Sequence, residues 1–334
     1  MKKTLIALAT LAAVGAVSAQ VTVTGKLGFA YDSDAAVVNK NRGLVMSDGD
    51  IVFTAKEDLG AGMSATVSSA MKLRGRDNIG GRDGTITLAT PNLILTAGTV
   101  EAATALKNAW AGAPVVTAYI TSKGYVYDAD ANLDAAVVTL PLSKEATVSA
   151  MYIDFGMAPA TFLATNAVQD KAIGTSTSLP QLSGFPGGGA VQGYVLIGTY
   201  ATGPISLYGD YTTYISAAAT ANNKTRTRLT GTYDAGIAKV GLGYQSFTYG
   251  SAGMYNVGLS VPLGNMIAGV TYAVKEAQLA GTQSGAAAAV EASVASLGLT
   301  YNLSKQTNVS VGYAVYTGVA AADNEYRIRL MKSF

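Results

Sequence analysis

The residue types that most enzymes use for nucleophilic or metal chemistry are missing from this chain of 334 residues, which has no histidine and no cysteine. A Ser-His-Asp triad, a cysteine nucleophile and a histidine-ligated metal are therefore excluded. Neighbouring carboxylates occur at Glu57-Asp58, in a tight turn, and at Asp128 and Asp130, in a loop. No loop has the alternating Asp spacing of a dedicated calcium site. The sequence predicts neither an enzyme nor a bound cofactor or metal.

The remaining chemistry is electrostatic, because basic and apolar side chains alternate along several segments of the chain. In the last ten residues, Arg327 and Arg329 alternate with an apolar set made of Tyr326, Ile328, Leu330 and Phe334. Successive side chains of a β-strand point to opposite faces, so this segment has one apolar and one basic face. The same parity applied to the other strands predicts an inward, basic set: Lys26, Lys56, Arg226, Arg228, Lys239, Lys275, Arg327 and Arg329.

Such a terminal strand has two interpretations. It could be the last strand of a soluble β-sandwich, or the closing strand of an outer-membrane barrel with lipid outside, water inside and an aromatic anchor at the rim. Tyrosines favour the barrel, because most fall on the apolar parity of their strands, where an amphipathic ring suits the headgroup layer. The alternative for them is the ordinary preference of strands for aromatic residues. The set is Tyr200, Tyr208, Tyr211, Tyr233, Tyr244, Tyr272, Tyr301, Tyr313 and Tyr326, with Phe334.

The N-terminus and the composition also favour an exported membrane barrel. Lys2 and Lys3, an apolar segment and the exit Val17-Ser18-Ala19 predict a signal peptide over residues 1–19, leaving 20–334 as one barrel domain. The chain is 49% hydrophobic and only 13% charged, yet beyond the signal no apolar run is long enough for a transmembrane helix. With 23 basic against 21 acidic residues it shows no nucleic-acid-binding charge.

Segments of alternating hydrophobicity are joined by connections that are long and short by turns. This pattern predicts an all-β, up-and-down antiparallel transmembrane barrel. The count depends on residues 100–132, where alternation is weak. If this stretch is one long third loop, the barrel has sixteen strands; if it contains an added hairpin, it has eighteen. We favour the loop. A polar connection is expected to reach about Met46, so that the second strand begins near Ile51.

Several short motifs make the chain similar to the general porins of Gram-negative outer membranes. They are the signal peptide, the turn Lys56-Glu57-Asp58-Leu59-Gly60, Gly80-Gly81-Arg82 before a short hairpin, the long third connection, and the ending Leu330-Met331-Lys332-Ser333-Phe334. The resemblance implies a homotrimer of sixteen-stranded barrels, with a loop around 74–83 that could touch a neighbouring subunit. It implies that the third loop folds inward as a constriction carrying Glu101, Lys107, Trp110, Lys123, Asp128 and Asp130.

We therefore expect a passive outer-membrane channel for ions and small hydrophilic solutes. Its inner basic residues outnumber acids such as Asp50, Asp210 and Glu325, which predicts a weak preference for anions. The alternative for these charges is that they only solvate the wall or pair with acids. Trp110 is expected to pack rather than stack on a sugar. Expected partners are outer-membrane lipid, two further copies, and the barrel-assembly machinery through the C-terminal strand. A poorly conducting structural barrel and an eighteen-stranded selective channel remain as alternatives.

Overall fold

The computed structural model describes residues 20–33, 42–73, 80–101, 132–154, 190–216, 224–247, 253–275, 292–317 and 324–334. Within these ranges no helix is long and apolar enough to cross a bilayer. The strands are β1 (Gln20–Ser33), β2 (Arg42–Gly60), β3 (Met63–Lys72), β4 (Gly80–Ala89), β5 (Ile94–Glu101), β6 (Asn132–Pro141), β7 (Ala146–Asp154), β8 (Ala190–Thr202), β9 (Ile205–Ser216), β10 (Lys224–Asp234), β11 (Lys239–Phe247), β12 (Met254–Leu263), β13 (Met266–Lys275), β14 (Ala292–Asn302), β15 (Thr307–Thr317) and β16 (Glu325–Ser333).

These sixteen strands form one closed antiparallel barrel, in which each strand pairs with its neighbours in sequence and β1 pairs with β16. The predicted sixteen-stranded up-and-down barrel is confirmed. β5 pairs directly with β6, from Ile94↔Thr139 to Glu101↔Asn132, so the sheet has no place for an added hairpin between them. The eighteen-strand alternative is therefore wrong. A barrel of this size leaves an aqueous channel along its axis.

Closure at the seam is completed by the last residue. The Phe334 amide donates to the Gly25 carbonyl at 2.9 Å, and the Gly25 amide donates back to the Phe334 carbonyl at 3.0 Å. On the outer surface of the same seam, the rings of Tyr31 and Tyr326 stack with centroids 6.2 Å apart. The end of the chain is thus held by backbone hydrogen bonds that extend the β1–β16 ladder, as closure requires.

The second strand begins earlier than the sequence indicated. β2 starts at Arg42 instead of near Ile51, so the predicted connection up to Met46 is wrong. The segment is polar, but it is held by backbone pairing with β1, which runs from Ser33↔Arg42 onward. The register shifts between Gly28 and Phe29, where Ser47 is an extra residue in β2. This bulge places both Ser47 and Asp48 in buried positions.

The barrel is apolar on the outside and polar on the inside. Large apolar side chains such as Leu229, Ile328 and Leu330 are about half exposed, whereas the largest fully buried side chains include Arg228 and Arg327. A soluble domain has the reverse arrangement. Alternation along the strands therefore produces a lipid-facing outer surface and a polar inner wall.

Candidate functional site

All eight predicted pore-lining residues belong to the inward parity of their strands. Arg226, Arg228, Arg327 and Arg329 are almost completely buried, between exposed neighbours such as Leu229 and Ile328. Lys26 and Lys239 are half-buried and Lys56 is exposed near the short turns. Lys275 is the last residue of β13 and pairs with Met254. It has the same parity as the buried Thr271 and Ala273, but its side chain lies outside the described residues.

The first charged group, the Asp210 cluster, lies on β9 and β10. It consists of Tyr208, Asp210, Thr212, Arg226 and Arg228, which pair across the two strands as Asp210↔Arg228 and Thr212↔Arg226. Arg228 donates from Nε to Asp210 Oδ2 at 2.6 Å, and Arg226 donates from Nη2 to Asp210 Oδ1 at 3.2 Å. Among the described residues, one carboxylate thus faces two buried guanidinium groups.

Polar side chains complete this cluster. Arg228 donates from Nη2 to the Tyr208 hydroxyl at 3.2 Å, and its Cζ lies 5.3 Å from the centre of the Tyr208 ring. Arg226 also donates from Nη2 to Thr212 Oγ1 at 3.2 Å. Tyr208 therefore points inward, and its inclusion among the outward tyrosines was wrong. It shares the parity of Asp210, which the sequence analysis had already placed inside.

The second charged group, the Asp48 cluster, lies across the β16–β1–β2 seam. It consists of Lys26, Ser47, Asp48, Asp50 and Arg329. Lys26 Nζ lies 3.1 Å from Asp48 Oδ1 and 3.3 Å from Asp50 Oδ2, while Arg329 Nη1 lies 3.4 Å from Asp48 Oδ2. Ser47 donates to Asp48 Oδ2 at 3.0 Å.

Backbone geometry makes the second cluster possible. Asp48 reaches Arg329 diagonally across β1, where the inward residue opposite Asp48 is Gly28 and the one opposite Arg329 is Ala30. A Cβ added at Gly28 would lie 2.8 Å from Ser47 Oγ and 2.9 Å from Asp48 Oδ2. The sequence analysis missed Asp48 because its strand was expected to start later, although Asp48 shares the inward parity of Asp50.

The two clusters lie on opposite sides of the barrel. Five strands separate β10 from β16 in one direction, and six separate β2 from β9 in the other. The arc between β10 and β16 carries buried neutral polar side chains, whereas the arc at β7 and β8 carries buried apolar ones. The polar arc comprises Gln245, Asn256, Thr271, Ser296, Thr300 and Ser310; the apolar arc comprises Met151, Ile153, Val195 and Ile197.

The predicted constriction residues could not be placed against this wall. Glu101 ends β5, but its side chain lies outside the described residues, as do Lys107, Trp110, Lys123, Asp128 and Asp130. The side chain of Glu325 is likewise outside them. In the described ranges no group of three acidic residues could hold a metal ion.

Aromatic residues lie on the outer surface of most strands, with one gap. Tyr326, Ile328, Leu330 and Phe334 all lie outside and are about half exposed. Twelve of the sixteen strands place an aromatic residue on the outer face, but β3, β4, β5 and β6 contain none. One outward aromatic for each of the twelve is Tyr31, Phe53, Tyr152, Tyr194, Tyr211, Tyr233, Tyr244, Tyr255, Tyr272, Tyr301, Tyr313 and Tyr326.

Solved structures share this architecture. The anion-selective porin from Comamonas acidovorans superposes with a TM-score of 0.63 at 17% identity, covering 95% of this chain and 100% of that one. A loop-deletion mutant of OmpT, an outer membrane protein of Vibrio cholerae, gives 0.65 at 13% identity, with 95% and 100% coverage. A triple mutant of the Rhodopseudomonas blastica porin gives 0.62 at 13% identity, with 94% and 100% coverage. At these identities the likeness establishes the fold.

Family membership comes from the sequence. No curated protein sequence matches the chain. The profile of Gram-negative porins, however, matches residues 4–321, which is nearly the whole length. Members of this family are outer-membrane diffusion channels, generally trimeric, and are not enzymes. The closed sixteen-stranded barrel, the polar inner wall and the family match agree, and the chain belongs to the Gram-negative porin family as an outer-membrane diffusion channel.

Proposed function

We propose that this diffusion channel weakly prefers anions and that its preference comes from the inner-wall cations predicted from the sequence. The observation that carries the proposal is the charge balance of the two clusters. Arg226 and Arg228 face one carboxylate, Asp210. Across the barrel, Lys26 and Arg329 pair with Asp48 and Asp50, and the buried Arg327 lies two residues from Arg329 on the same strand. Among the inner-wall side chains that the structure describes in these two groups, five are basic and three are acidic.

Ion pairing explains why the preference is weak. In the described part of the chain, four of the eight basic side chains, Lys26, Arg226, Arg228 and Arg329, form ion pairs with Asp48, Asp50 or Asp210, which reduces the field of the set. The excess charge acts on a passing ion mainly through its field, because the guanidinium groups are buried. The related Comamonas porin is described as anion-selective, which agrees with the proposal.

The test is the reversal potential of the channel in a planar bilayer under a potassium chloride gradient. At about 0.1 M salt, where the Debye length is about 10 Å, we expect a potential of the sign that indicates chloride preference. At about 1 M, where this length falls to about 3 Å, the preference should nearly vanish. Cation preference at the lower concentration would contradict the charge assignment. Insertion without conductance would contradict the open channel.

We also infer that copies of the chain associate through the outer face of β3–β6. These strands lack the aromatic residues that anchor a barrel wall in the headgroup layer. Their outward positions include Ala65, Ser69, Gly84, Ala97 and Ala136. Small residues allow close backbone approach between membrane proteins, where packing rather than hydrophobicity drives association. A homotrimer is the state that the family resemblance implies.

Tryptophan scanning tests this interface. A97W on β5 places a bulky ring on the proposed contact and should shift the purified protein from oligomer to monomer. L242W on β11 makes a similar change on a face rich in aromatic residues, where a tryptophan suits lipid. The oligomeric state is measured by light scattering in detergent. If A97W remains as oligomeric as L242W, the contact lies elsewhere.

Three further assignments stay predictions. We infer that the signal peptide is removed after Ala19, and that the assembly machinery recognises the C-terminal strand through Tyr326, Ile328, Leu330 and Phe334. The role of Glu101, Lys107, Trp110, Lys123, Asp128 and Asp130 in narrowing the pore rests on the family resemblance. N-terminal sequencing of the mature protein checks the first of these assignments.

A further inference from the structure

We propose that the inner wall of β14–β16 contains a binding site for a single oxyanion, such as the phosphate or carboxylate group of a small solute. The site consists of Thr300, Ser310 and Arg329. The inference rests on the proposed function, because a solute must enter the lumen to reach the site. It goes further in assigning specific binding to one wall, beyond a general preference for anions.

Arg329 supplies the principal donors. Its Nη1 is held by Asp48 Oδ2 at 3.4 Å, whereas its Nε and Nη2 are buried and make no hydrogen bond to any part of the chain that the structure describes. Nε and Nη2 form one edge of the planar guanidinium, with two parallel N–H groups at the spacing of carboxylate or phosphate oxygens. A buried edge of this kind without an acceptor is costly. An incoming oxyanion would satisfy both donors.

Two hydroxyl groups lie beside this edge on the same inner face. Arg329 pairs with Ser310 on β15, and Ser310 pairs with Thr300 on β14. Both hydroxyls are buried and, among the described residues, neither has a hydrogen-bond partner. Side chains at directly opposed positions of antiparallel strands lie about 5 Å apart. The three residues therefore form a continuous row of unused donors across three strands.

The next inward positions beside the two hydroxyls are glycines. Gly298 lies two residues before Thr300 on β14, Gly312 lies two residues after Ser310 on β15, and the two glycines are ladder partners. Neither strand therefore adds a side chain beside the hydroxyls, and the next inward residue of this row is Arg327, the partner of Gly312. The charge is also favourable, since Lys26 lies 3.1 Å from the other oxygen of Asp48 and offsets its repulsion of an anion.

The Asp210 cluster shows why this site is specific to one wall. There the equivalent edge of Arg228 is already occupied, with Nε on Asp210 at 2.6 Å and Nη2 on the Tyr208 hydroxyl at 3.2 Å. The two clusters thus differ in their donors. In the Asp210 cluster the edge of Arg228 is paired, whereas in the Asp48 cluster the edge of Arg329 has no hydrogen-bond partner among the described residues.

The experiment measures chloride current through the full mature channel in a planar bilayer while inorganic phosphate is added at constant ionic strength. We expect saturable inhibition of the chloride current. In the double variant T300V/S310A the phosphate concentration for half inhibition should rise about tenfold or more, because hydrogen bonds to a charged group are lost. R329K, which keeps the charge but loses the planar edge, should show a similar rise.

T271V is the matched control. Thr271 is also an inward, buried hydroxyl without a partner among the described residues, but it lies on β13, away from the arginine edge. Its phosphate inhibition should equal that of the unaltered channel. Chloride conductance and reversal potential should be unchanged in T271V, and T300V/S310A should migrate as a folded barrel on gels, which shows that both variants have folded.

Parallel titrations define the ligand class. Inhibition by acetate as well as phosphate assigns the site to oxyanions in general, and inhibition by phosphate alone assigns it to phosphate; either supports the proposal. Inhibition by glucose at similar concentrations, absence of saturation, or equal inhibition in T300V/S310A and T271V would overturn it. A cation-preferring channel that still shows hydroxyl-dependent phosphate inhibition would refute only the proposed selectivity.

Discussion

Replacing Asp210 with asparagine should strongly destabilise the barrel. The Asp210 side chain is fully buried, and those of Arg226 and Arg228 are 2% and 1% exposed, so water does not screen the pairs. An amide keeps one acceptor oxygen but presents an NH₂ group to a second guanidinium donor. Removing one member of a buried ion pair costs about 3–5 kcal/mol because the remaining charge is uncompensated. Here two cations would remain, so we expect D210N to fall in that range.

The assay is equilibrium unfolding by guanidinium chloride of the barrel refolded in detergent, followed by the migration difference between folded and unfolded protein on gels. D234N is the matched control, because Asp234 makes the same charge change at an exposed turn where it accepts from the Gly236 amide at 3.0 Å. Its effect should stay within about 0.5 kcal/mol. The double variant D210N/R226Q should recover part of the loss. A D210N barrel within about 1 kcal/mol of the unaltered protein would show that water solvates these arginines.

Two glycine positions give further predictions. At Gly98 the backbone has φ +143°, and an added Cβ would collide with the Gly84 carbonyl oxygen and lie 2.8 Å from Thr85 Cα. G98A should therefore cost more than about 2 kcal/mol in the same unfolding assay, while G84A, where nothing lies within 4 Å of the new Cβ, should be neutral. At Gly25 an added Cβ would lie 2.5 Å from Phe334 Cζ and 2.6 Å from the Asp50 carbonyl oxygen. G25A should therefore reduce the fraction of protein that refolds into a closed barrel. The control is G198A, because nothing lies within 4 Å of a Cβ added at Gly198. Equal refolding yields for the two variants would mean that the seam tolerates displacement of Phe334.

The strands could be predicted from the sequence because the alternation that defines them is local. The terminal strand was expected over the last ten residues, and β16 ends one residue earlier, at Ser333. The lumen-facing parity of Arg226, Arg228, Arg327 and Arg329 followed from the same rule. Alternation does not predict a strand that is held mainly by backbone pairing with its neighbour, as in the polar start of β2. It also gives the wrong face for residues beyond a bulge, such as the one at Ser47.

The partners of the charged residues could not be predicted in this way, because they depend on register across strands. Asp48 and Arg329 are 281 positions apart in the chain and meet only when β1 joins β16. Asp210 and Arg228 are closer, yet their pairing depends on the connection between β9 and β10. Local parity therefore identifies which charges face the lumen, whereas register decides which of them are neutralised. Selectivity depends on both, since a basic residue paired with a buried acid adds little to the field that an ion experiences, and an arginine with an open edge can bind the ion directly.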